Sequence, residues 1–194
     1  MIIGITGGTG CGKTTLLKLI AERGGMILDC DAIYHELLKT DGEMLFAIES
    51  RFPGVVEDGV LNRKKLGAIV FADGQALLEL NAITHAAVKK EVLRRLESKP
   101  KLAAIDAIAL FESGLGELCD VTVAVTAPVE DRVRRLMERD GISAEYARLR
   151  IRAQRSNEDF SASCHVTLEN HFRTVEEFAA HCEMIFTTIL KEEP

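Results

Sequence analysis

The residues at positions 7–14 carry the clearest chemical pattern in the sequence. They read Gly-Gly-Thr-Gly-Cys-Gly-Lys-Thr and fit the pattern G-x-x-x-x-G-K-[ST] in full. In such a loop the glycines let backbone N–H groups turn toward phosphate oxygens, the lysine reaches the outer phosphates, and the threonine hydroxyl can bind Mg²⁺. We therefore predict a site for the phosphates of a nucleotide, formed by Gly8, Gly10, Cys11, Gly12, Lys13, Thr14 and Thr15.

Cys11 lies inside this loop, close to Lys13 and to a predicted helix start. A helix N-terminus and a neighbouring cation both lower the pKa of a thiol. The alternative is that cysteine stands there as a small residue that fits the loop. The sequence leaves both interpretations open.

Two carboxylates, Asp29 and Asp31, follow a short apolar run. At the carboxyl end of a strand they could hold Mg²⁺ through water or accept a proton from an attacking hydroxyl. The structural alternative is helix capping, in which Asp31 accepts backbone N–H bonds ahead of Ala32. Asp106, which follows another apolar run, competes with Asp29 for the metal.

Arginine is concentrated between positions 132 and 155. This segment holds eight arginines, no lysine and three acidic residues, within a chain whose net charge is −6. Guanidinium groups bind phosphate bidentately, so the segment indicates a site for a multiply charged anion. Helical spacing gives two predicted faces of three arginines each: Arg132, Arg135 and Arg139, then Arg148, Arg152 and Arg155. We expect both faces to close over a nucleotide; the alternative is a solvated helix surface.

Strands and helices alternate along the sequence. The predicted strands are 1–6, 26–28, 102–105, 121–125 and 165–168, and the predicted helices are 14–23, 32–39, 43–52, 63–71, 75–97, 129–139, 144–154 and 175–190. The runs 102–105 and 121–125 are largely apolar, without the alternation that a solvent-facing strand would show, which is typical of parallel strands buried on both faces. We predict an α/β fold with a doubly wound parallel sheet, and ligands outside the carboxyl ends of its strands.

The composition, with 47% hydrophobic and 28% charged residues, is typical of a globular protein of one domain, with or without insertions. No apolar run approaches the roughly 18 residues that span a membrane, and a loop starting at Gly7 leaves no room for a signal peptide, so we expect a cytoplasmic protein without membrane contact.

The acidic net charge disfavours nucleic-acid binding. Five scattered cysteines without a C-x-x-C pair indicate reduced thiols rather than disulfides or a zinc site.

The order of motifs resembles the dephospho-coenzyme A kinase family along nearly the whole chain. The resemblance rests on T-G-G-T-G-C-G-K-T-T at 6–15, D-C-D at 29–31, L-N-R-K-K-L and V-F within 61–71, I-T-H at 83–85, L-F-E at 110–112, R-x-x-R-L-M-E-R-D-G-I-S at 132–143, R-I-R-A-Q at 150–154 and L-E-N at 168–170. It implies transfer of the γ-phosphoryl group of ATP to the 3′-hydroxyl of dephospho-CoA, the last step of coenzyme A biosynthesis, with Mg²⁺. ATP and dephospho-CoA are the expected substrates, and no obligatory protein partner is expected.

The resemblance also implies an organisation into three parts. These are a P-loop nucleotide-binding core of three α/β/α layers (1–30, 100–130 and 163–194), a helical acceptor-binding region (31–99) and an arginine-rich lid (131–162). Asp31 matches the expected base, and Lys13, Arg135 and Arg139 are expected to stabilise the transferring group. The expected metal ligands are Thr14 and Asp29, and the expected acceptor-binding residues are Asp29, Asp31, Arg63, His85 and Glu112.

Three of these residues have a plain alternative. Arg63 and His85 are each as readily explained as structural hydrogen-bonding residues, and Glu112 could cap the turn at Gly114. Two other functions also stay open: another P-loop kinase acting on a nucleotide or small molecule, and a noncatalytic ATP-binding switch whose lid reports nucleotide to a partner.

The chain departs from the family's usual pattern at four positions. Ile108 and Ala86 stand where the family usually has proline, and His165 stands where an acidic residue is common. The family also commonly has a glycine near the position of Phe172. We expect these differences to affect contacts with the acceptor rather than the phosphate loop.

Overall fold

The structure, a computed structural model, describes residues 1–191. The chain divides into two compact units, one formed by residues 1–28 and the chain from residue 100 onward, the other by residues 29–99. The last three residues of the predicted core segment 163–194 lie outside the described part. Within residues 1–191, no helix has the length and apolar character that crossing a membrane requires.

In chain order the strands are β1 (Ile2–Thr6), β2 (Met26–Asp29), β3 (Val56–Glu57), β4 (Val60–Leu61), β5 (Ala103–Asp106), β6 (Val121–Thr126) and β7 (Val166–Glu169). The helices are α1 (Lys13–Glu22), α2 (Cys30–Thr40), α3 (Gly42–Arg51), α4 (Arg63–Val70), α5 (Gly74–Leu96), α6 (Val129–Asp140), α7 (Ala144–Arg152), α8 (Asn157–Ser163) and α9 (Val175–Lys191).

A five-stranded sheet with the order β2-β5-β1-β6-β7 forms the centre of the first unit. β1 pairs in parallel with β5 and β6, and β6 pairs in parallel with β7. Both faces of β1 are covered: Ile3 and Ile5 are fully buried, and a Cβ at Gly4 would lie 2.7 Å from the Cys119 sulfur. The predicted α/β fold is confirmed, because the structure has a parallel five-stranded sheet flanked by helices.

Helices α1 and α9 pack together against the sheet. Leu16 and Ile20 of α1 join Phe178 and Phe186 of α9 in one core with the side chains of β1, β6 and β7. Each of these large apolar side chains contributes about 1.5–3 kcal/mol when it is removed from water. This burial fixes the start of α1, which directly follows the loop at 7–12.

Helices α6 and α7 have a small core of their own, formed by Val133, Leu136, Ala147 and Ile151. Gly141 directly follows the last residue of α6, and its φ of 65° suits glycine at a helix C-terminus. The side chain of Ser143 then caps α7 by accepting from the Tyr146 N–H. The arginine-rich segment therefore folds as a helical hairpin between β6 and β7.

The second unit contains helices α2 to α5 and a hairpin of β3 and β4. The side chains of Asp29, Asp41, Asn62 and Asp73 each accept a backbone N–H at the start of one of these helices. The long helix α5 packs against α2, α3 and α4. Glu91 of α5 accepts hydrogen bonds from Arg94 and Arg95, and Arg95 also binds Glu36 of α2 at 2.7 Å.

Candidate functional site

The loop at 7–12 leaves the buried carboxyl end of β1 and leads directly into α1. Gly7, Gly10 and Gly12 all have positive φ values, of 137°, 79° and 104°. A side chain at position 7 would collide with the backbone carbonyl of Val125, and one at position 12 would collide with the Asn170 amide. The loop thus needs glycine for its backbone conformation and for its close packing.

Lys13 begins α1 and reaches back across the loop, where its ammonium donates to the Gly7 carbonyl at 2.9 Å. Thr14 is exposed and Thr15 is half-buried in the first turn of the same helix. Backbone N–H groups at a helix N-terminus attract anions, and a lysine held over them adds a full positive charge. This arrangement can bind the phosphates of a nucleotide, as the motif predicts.

Two arginines of α6 contact the carbonyl side of this loop. Arg132 is only 2% exposed, and its Nε donates to the Thr9 carbonyl at 2.9 Å. Arg135 donates to the carbonyls of Gly10 at 3.1 Å and Cys11 at 3.4 Å. Burial lowers the pKa of Arg135, yet a guanidinium stays charged at neutral pH. Both cations therefore lie against the phosphate loop.

Of the two predicted arginine faces, the first lies wholly on α6, whereas the second does not lie on one helix. Arg139 is exposed and pairs with Asp140 at 2.7 Å, which raises the pKa of Arg139. The second face is wrong, because α7 ends at Arg152 and Arg155 lies beyond the helix. The Arg155 guanidinium instead binds the Glu112 carboxylate at 3.0 Å.

Cys11 is buried, with 1% of its surface exposed. Burial raises the pKa of its thiol, and the nearby charges of Arg132 and Lys13 offset only part of that rise. The interpretation of Cys11 as an activated thiol is therefore wrong, because removal from water outweighs the neighbouring cations. Its contribution to the loop is a carbonyl oxygen, which accepts a hydrogen bond of 2.9 Å from the Asn170 amide.

A cleft of about 480 Å³ opens beside the loop. It is lined by Gly12, Thr15, Arg134, Arg135, Glu138, Asn170, Phe172, Arg173, Thr174, Val175 and Phe178. Phe172 supplies an aromatic surface, and the buried Oδ1 of Asn170 has no hydrogen-bond partner within residues 1–191. Apolar walls with a few polar groups are typical of sites for small organic ligands.

Three carboxylates end or follow strands, as the sequence predicts. Asp29 is the last residue of β2, and its Oδ1 accepts the Ala32 N–H at 2.9 Å. The capping interpretation therefore named the wrong aspartate, because Asp29 rather than Asp31 caps α2. Asp31 is exposed in the first turn of that helix. Asp106 ends β5 and pairs in register with Ile5 of β1.

The other predicted acceptor-binding residues lie on several elements. An Arg63 nitrogen lies 2.7 Å from Nδ1 of His35, and burial raises the pKa of the adjacent Tyr34. His85 lies half-buried in α5. Glu112 follows β5 in the chain and accepts a hydrogen bond of 3.0 Å from Arg155 through its Oε1.

The four departures from the family pattern lie at Ile108, Ala86, His165 and Phe172. The Ile108 carbonyl accepts from the Thr6 hydroxyl at 3.1 Å, and Ala86 is exposed on α5. Nδ1 of His165 accepts from the Thr122 N–H at 3.0 Å, at the amino end of the sheet. Phe172 alone among the four lines the cleft beside the loop.

Sequence reasoning missed the individual roles of three side-chain amides near the loop. Gln154 accepts from the Thr9 N–H at 2.9 Å, Asn170 binds Cys11, and Asn157 donates to the Ala127 carbonyl at 2.9 Å. Gln154 and Asn170 do lie in the segments R-I-R-A-Q and L-E-N, which contributed to the resemblance. No spacing rule assigns such uncharged residues to a site.

Comparisons with known proteins show what the whole chain is similar to. The family model "Dephospho-CoA kinase" matches residues 1–176. The dephospho-CoA kinase of Corynebacterium diphtheriae is 35% identical over 87% of this chain and 88% of its own length, and that of Fusobacterium nucleatum is 36% identical over 95% and 98%. The crystal structure of TT1252 from Thermus thermophilus, 33% identical, superimposes with a TM-score of 0.80 over 100% of this chain and 98% of that one. The dephospho-CoA kinase structure from Campylobacter jejuni, 24% identical with a TM-score of 0.68 over 98% of this chain and 97% of that one, shares the fold.

Proposed function

Because the chain belongs to the dephospho-CoA kinase family, we propose how its residues divide the work of phosphoryl transfer. The activity is ATP-dependent phosphorylation of dephospho-CoA in coenzyme A biosynthesis, with ATP as co-substrate. We propose that the phosphoryl group goes to the 3′-hydroxyl, so that the acceptor oxygen attacks the γ-phosphorus in line with the leaving ADP.

One observation carries the assignment of the ATP site. The glycine loop at 7–12 follows a buried strand, opens a helix, and places the Lys13 ammonium 2.9 Å from its own Gly7 carbonyl. Such a loop holds the β and γ phosphates by backbone N–H groups and by the lysine. We propose that Gly8, Gly10, Cys11, Gly12, Lys13, Thr14 and Thr15 do so here, with Cys11 acting through its backbone.

Arg135 and Arg139 are proposed to stabilise the transferring group. Arg135 is half-buried against the Gly10 and Cys11 carbonyls, so its charge is little screened by water. Arg139 is exposed and bound to Asp140, and it must exchange this partner to reach a phosphate. We therefore propose that Arg135 stabilises the transferring group without a change of conformation. Arg139 does so only after α6 and α7 move.

The cleft lined by Phe172 and Asn170 is proposed to hold the base of ATP. It opens beside Gly12 and Thr15, where the loop passes into α1. An aromatic wall, the Arg135 guanidinium and a buried amide oxygen suit a flat, polar-edged ring. The unsatisfied Oδ1 of Asn170 can accept a hydrogen bond from an amino group.

The donor atoms near the loop fit Mg²⁺, which prefers oxygen ligands and keeps several waters. The Thr14 hydroxyl is exposed at the start of α1, and residues 1–191 hold no cluster of three metal-binding side chains, so the phosphates and water must complete the shell. Asp106 ends β5, the strand beside β1, whereas Asp29 ends β2, one strand farther out. We propose Thr14 with Asp106 as the metal-holding residues, in preference to Asp29. Held there, Mg²⁺ would supply positive charge against the phosphates of ATP.

For the acceptor, we propose that Asp31 takes the hydroxyl proton. Its carboxylate is exposed, and no hydrogen-bond partner occupies it within residues 1–191. Arg63 with His35 offers a cationic edge for a phosphate of dephospho-CoA, and Asp29, His85 and Glu112 complete the proposed acceptor-binding set.

The five cysteines are free thiols, which suits a reducing compartment, so we place the reaction in the cytoplasm.

An acceptor panel tests the function. ATP consumption is measured with dephospho-CoA, with adenosine, with shikimate and without acceptor, and the product's phosphate position is read by ³¹P NMR. Turnover that requires dephospho-CoA and yields the 3′-phosphate is expected. Turnover with another acceptor alone would assign a different kinase, and ATP binding without transfer would assign a noncatalytic switch.

A further inference from the structure

Arg132 is a buried cation whose hydrogen-bond acceptors within residues 1–191 are all uncharged. Its side chain is among the largest that are fully buried, and within residues 1–191 it has no carboxylate at ion-pair distance. Three neutral oxygens accept from its guanidinium instead: the Thr9 carbonyl at 2.9 Å, Gln154 Oε1 at 3.0 Å and Asn157 Oδ1 at 3.4 Å. Buried charges are normally paired or fully hydrogen-bonded, so this placement calls for a reason.

Gln154 binds the same loop residue from the other side. Its Oε1 accepts the Thr9 N–H at 2.9 Å while it also accepts from Arg132. Both backbone groups of Thr9 are therefore held by side chains from the arginine-rich segment, the carbonyl by Arg132 and the N–H by Gln154. Asn157 closes the network by donating to the Ala127 carbonyl at the end of β6.

The loop sequence accommodates this contact. A Cβ at position 8 would collide with the Arg132 guanidinium and lie 3.1 Å from Gln154 Oε1. A Cβ at position 10 would lie 3.1 Å from the Arg132 carbonyl oxygen. Gly8 and Gly10 therefore leave room for α6 as well as for a phosphate.

We propose that Arg132 and Gln154 are positioning residues that hold the Thr9 peptide in the phosphate-binding orientation and join the arginine-rich segment to the loop. The proposal rests on the assignment of this loop to ATP. Held in this way, the Thr9 N–H is committed to Gln154, and the neighbouring loop N–H groups keep the orientation that they need for phosphate. The positive charge of Arg132 adds to the potential that an ATP phosphate meets, because a guanidinium that is only 2% exposed is weakly screened by solvent.

The test replaces the acceptor atom and leaves Arg132 in place. In Gln154→Leu the Thr9 N–H and one Arg132 N–H lose their hydrogen-bond acceptor, so we expect the KM for ATP to rise at least about 10-fold, which corresponds to about 1.4 kcal/mol. The KM for dephospho-CoA should change less than about twofold. Hydrogen exchange of a peptide containing residues 7–11 should become faster. Gln75→Leu, which removes an exposed glutamine bound to Glu79, is the matched control.

Gln154→Asn provides a milder variant, should Gln154→Leu not fold. Its shorter side chain can keep one of the two hydrogen bonds, so a smaller rise in the KM for ATP is expected. Unchanged ATP parameters and unchanged exchange at 7–11, even with a lower melting temperature, would show a purely structural role and overturn the proposal.

Direct calorimetry with a nonhydrolysable ATP analogue separates this inference from the proposed function. Weakened binding in Gln154→Leu would support the positioning role even if dephospho-CoA were not the acceptor. Wild-type binding in that variant, beside normal turnover of dephospho-CoA, would reject the positioning role and leave the proposed function intact.

Discussion

The side-chain amide of Asn170 donates a 2.9 Å hydrogen bond to the carbonyl of Cys11, joining the loop after β1 to the chain that follows β7. The same amide nitrogen occupies the space that a Cβ at position 12 would need. Gly12 is therefore required for two reasons, its φ of 104° and this neighbour.

Substitution of this glycine should damage the phosphate site. Gly12→Ala should destabilise the fold by about 1–3 kcal/mol through backbone strain, and it should weaken ATP binding because Asn170 must move. Gly42→Ala is the control, since a Cβ added at this position of α3 would meet no atom within 4 Å, and it should be neutral or stabilise by about 0.5 kcal/mol. Chemical denaturation and calorimetry measure both effects; equal behaviour of the two variants would contradict the assigned packing.

Lys13→Ala should remove most of the kinase activity and leave the fold intact. The ammonium lies over the loop rather than in the core, and loss of one group that stabilises transition-state charge costs about 10²–10³ in rate. Lys18→Ala changes an exposed lysine of the same helix and should retain activity. Circular dichroism and a coupled ATPase assay provide the measurement, and near-normal turnover in Lys13→Ala would refute the phosphate-site assignment.

Asp31→Asn should lower kcat by about 10²–10⁴ if the carboxylate accepts the acceptor's proton. Asparagine keeps the size of the side chain but not its basicity, so the KM for ATP should hardly change. Phosphoryl transfer can proceed through a loose transition state that needs little base. A weaker dissociation constant for dephospho-CoA that accounted for the whole rate loss would therefore assign Asp31 to positioning.

The metal prediction compares two strand-end carboxylates. Asp106→Asn should raise the Mg²⁺ concentration needed for half-maximal activity, and added metal should restore part of the rate, because β5 adjoins the strand that leads into the loop. Asp29→Asn should leave the Mg²⁺ requirement unchanged and the helix stable, since asparagine caps helices as well as aspartate does. If a Mg²⁺ titration instead showed a raised requirement in Asp29→Asn and an unchanged one in Asp106→Asn, Asp29 would be the metal-holding residue.

Acid should weaken the second unit through Glu91. Hydrogen bonds from Arg94 and Arg95 lower the pKa of Glu91 from 4.5 to about 2. Because the folded pKa is the lower one, its stabilisation is present above about pH 4.5 and is lost as pH falls toward about 2. Thermal melts should show Glu91→Gln less stable than wild type at neutral pH, with the difference shrinking below pH 4.5; a difference independent of pH would contradict this.

The sequence predicted the α/β order of elements well, for physical reasons that the structure makes visible. Buried strands such as β1 and β6 need apolar residues on both faces, and helix starts such as Asp41 and Asp73 carry side chains that cap them. The hairpin of β3 and β4 escaped prediction because two-residue strands have no measurable period. Helix α8 escaped it as well: it buries a single residue, Phe160, and its signal was the capping box of Ser156 with Asp159.

The candidate site was predictable where a residue's place follows from the local pattern, as for Gly12 and Lys13 at the start of α1. It was not predictable where the role depends on what covers a helix face. Helical spacing grouped Arg132 with Arg139, yet tertiary packing buries the first and leaves the second in water. Cys11 shows the same limit, because its burial could not be read from its neighbours in sequence.

The contact of the Lys13 ammonium with the Gly7 carbonyl reduces the entropy cost of binding ATP. A free lysine side chain loses up to about 2 kcal/mol of conformational entropy when it is fixed. Lys13 is already held, so a phosphate that takes its ammonium exchanges one oxygen acceptor for another and restricts little further motion. Part of the ordering that tight nucleotide binding requires is thus completed when the chain folds.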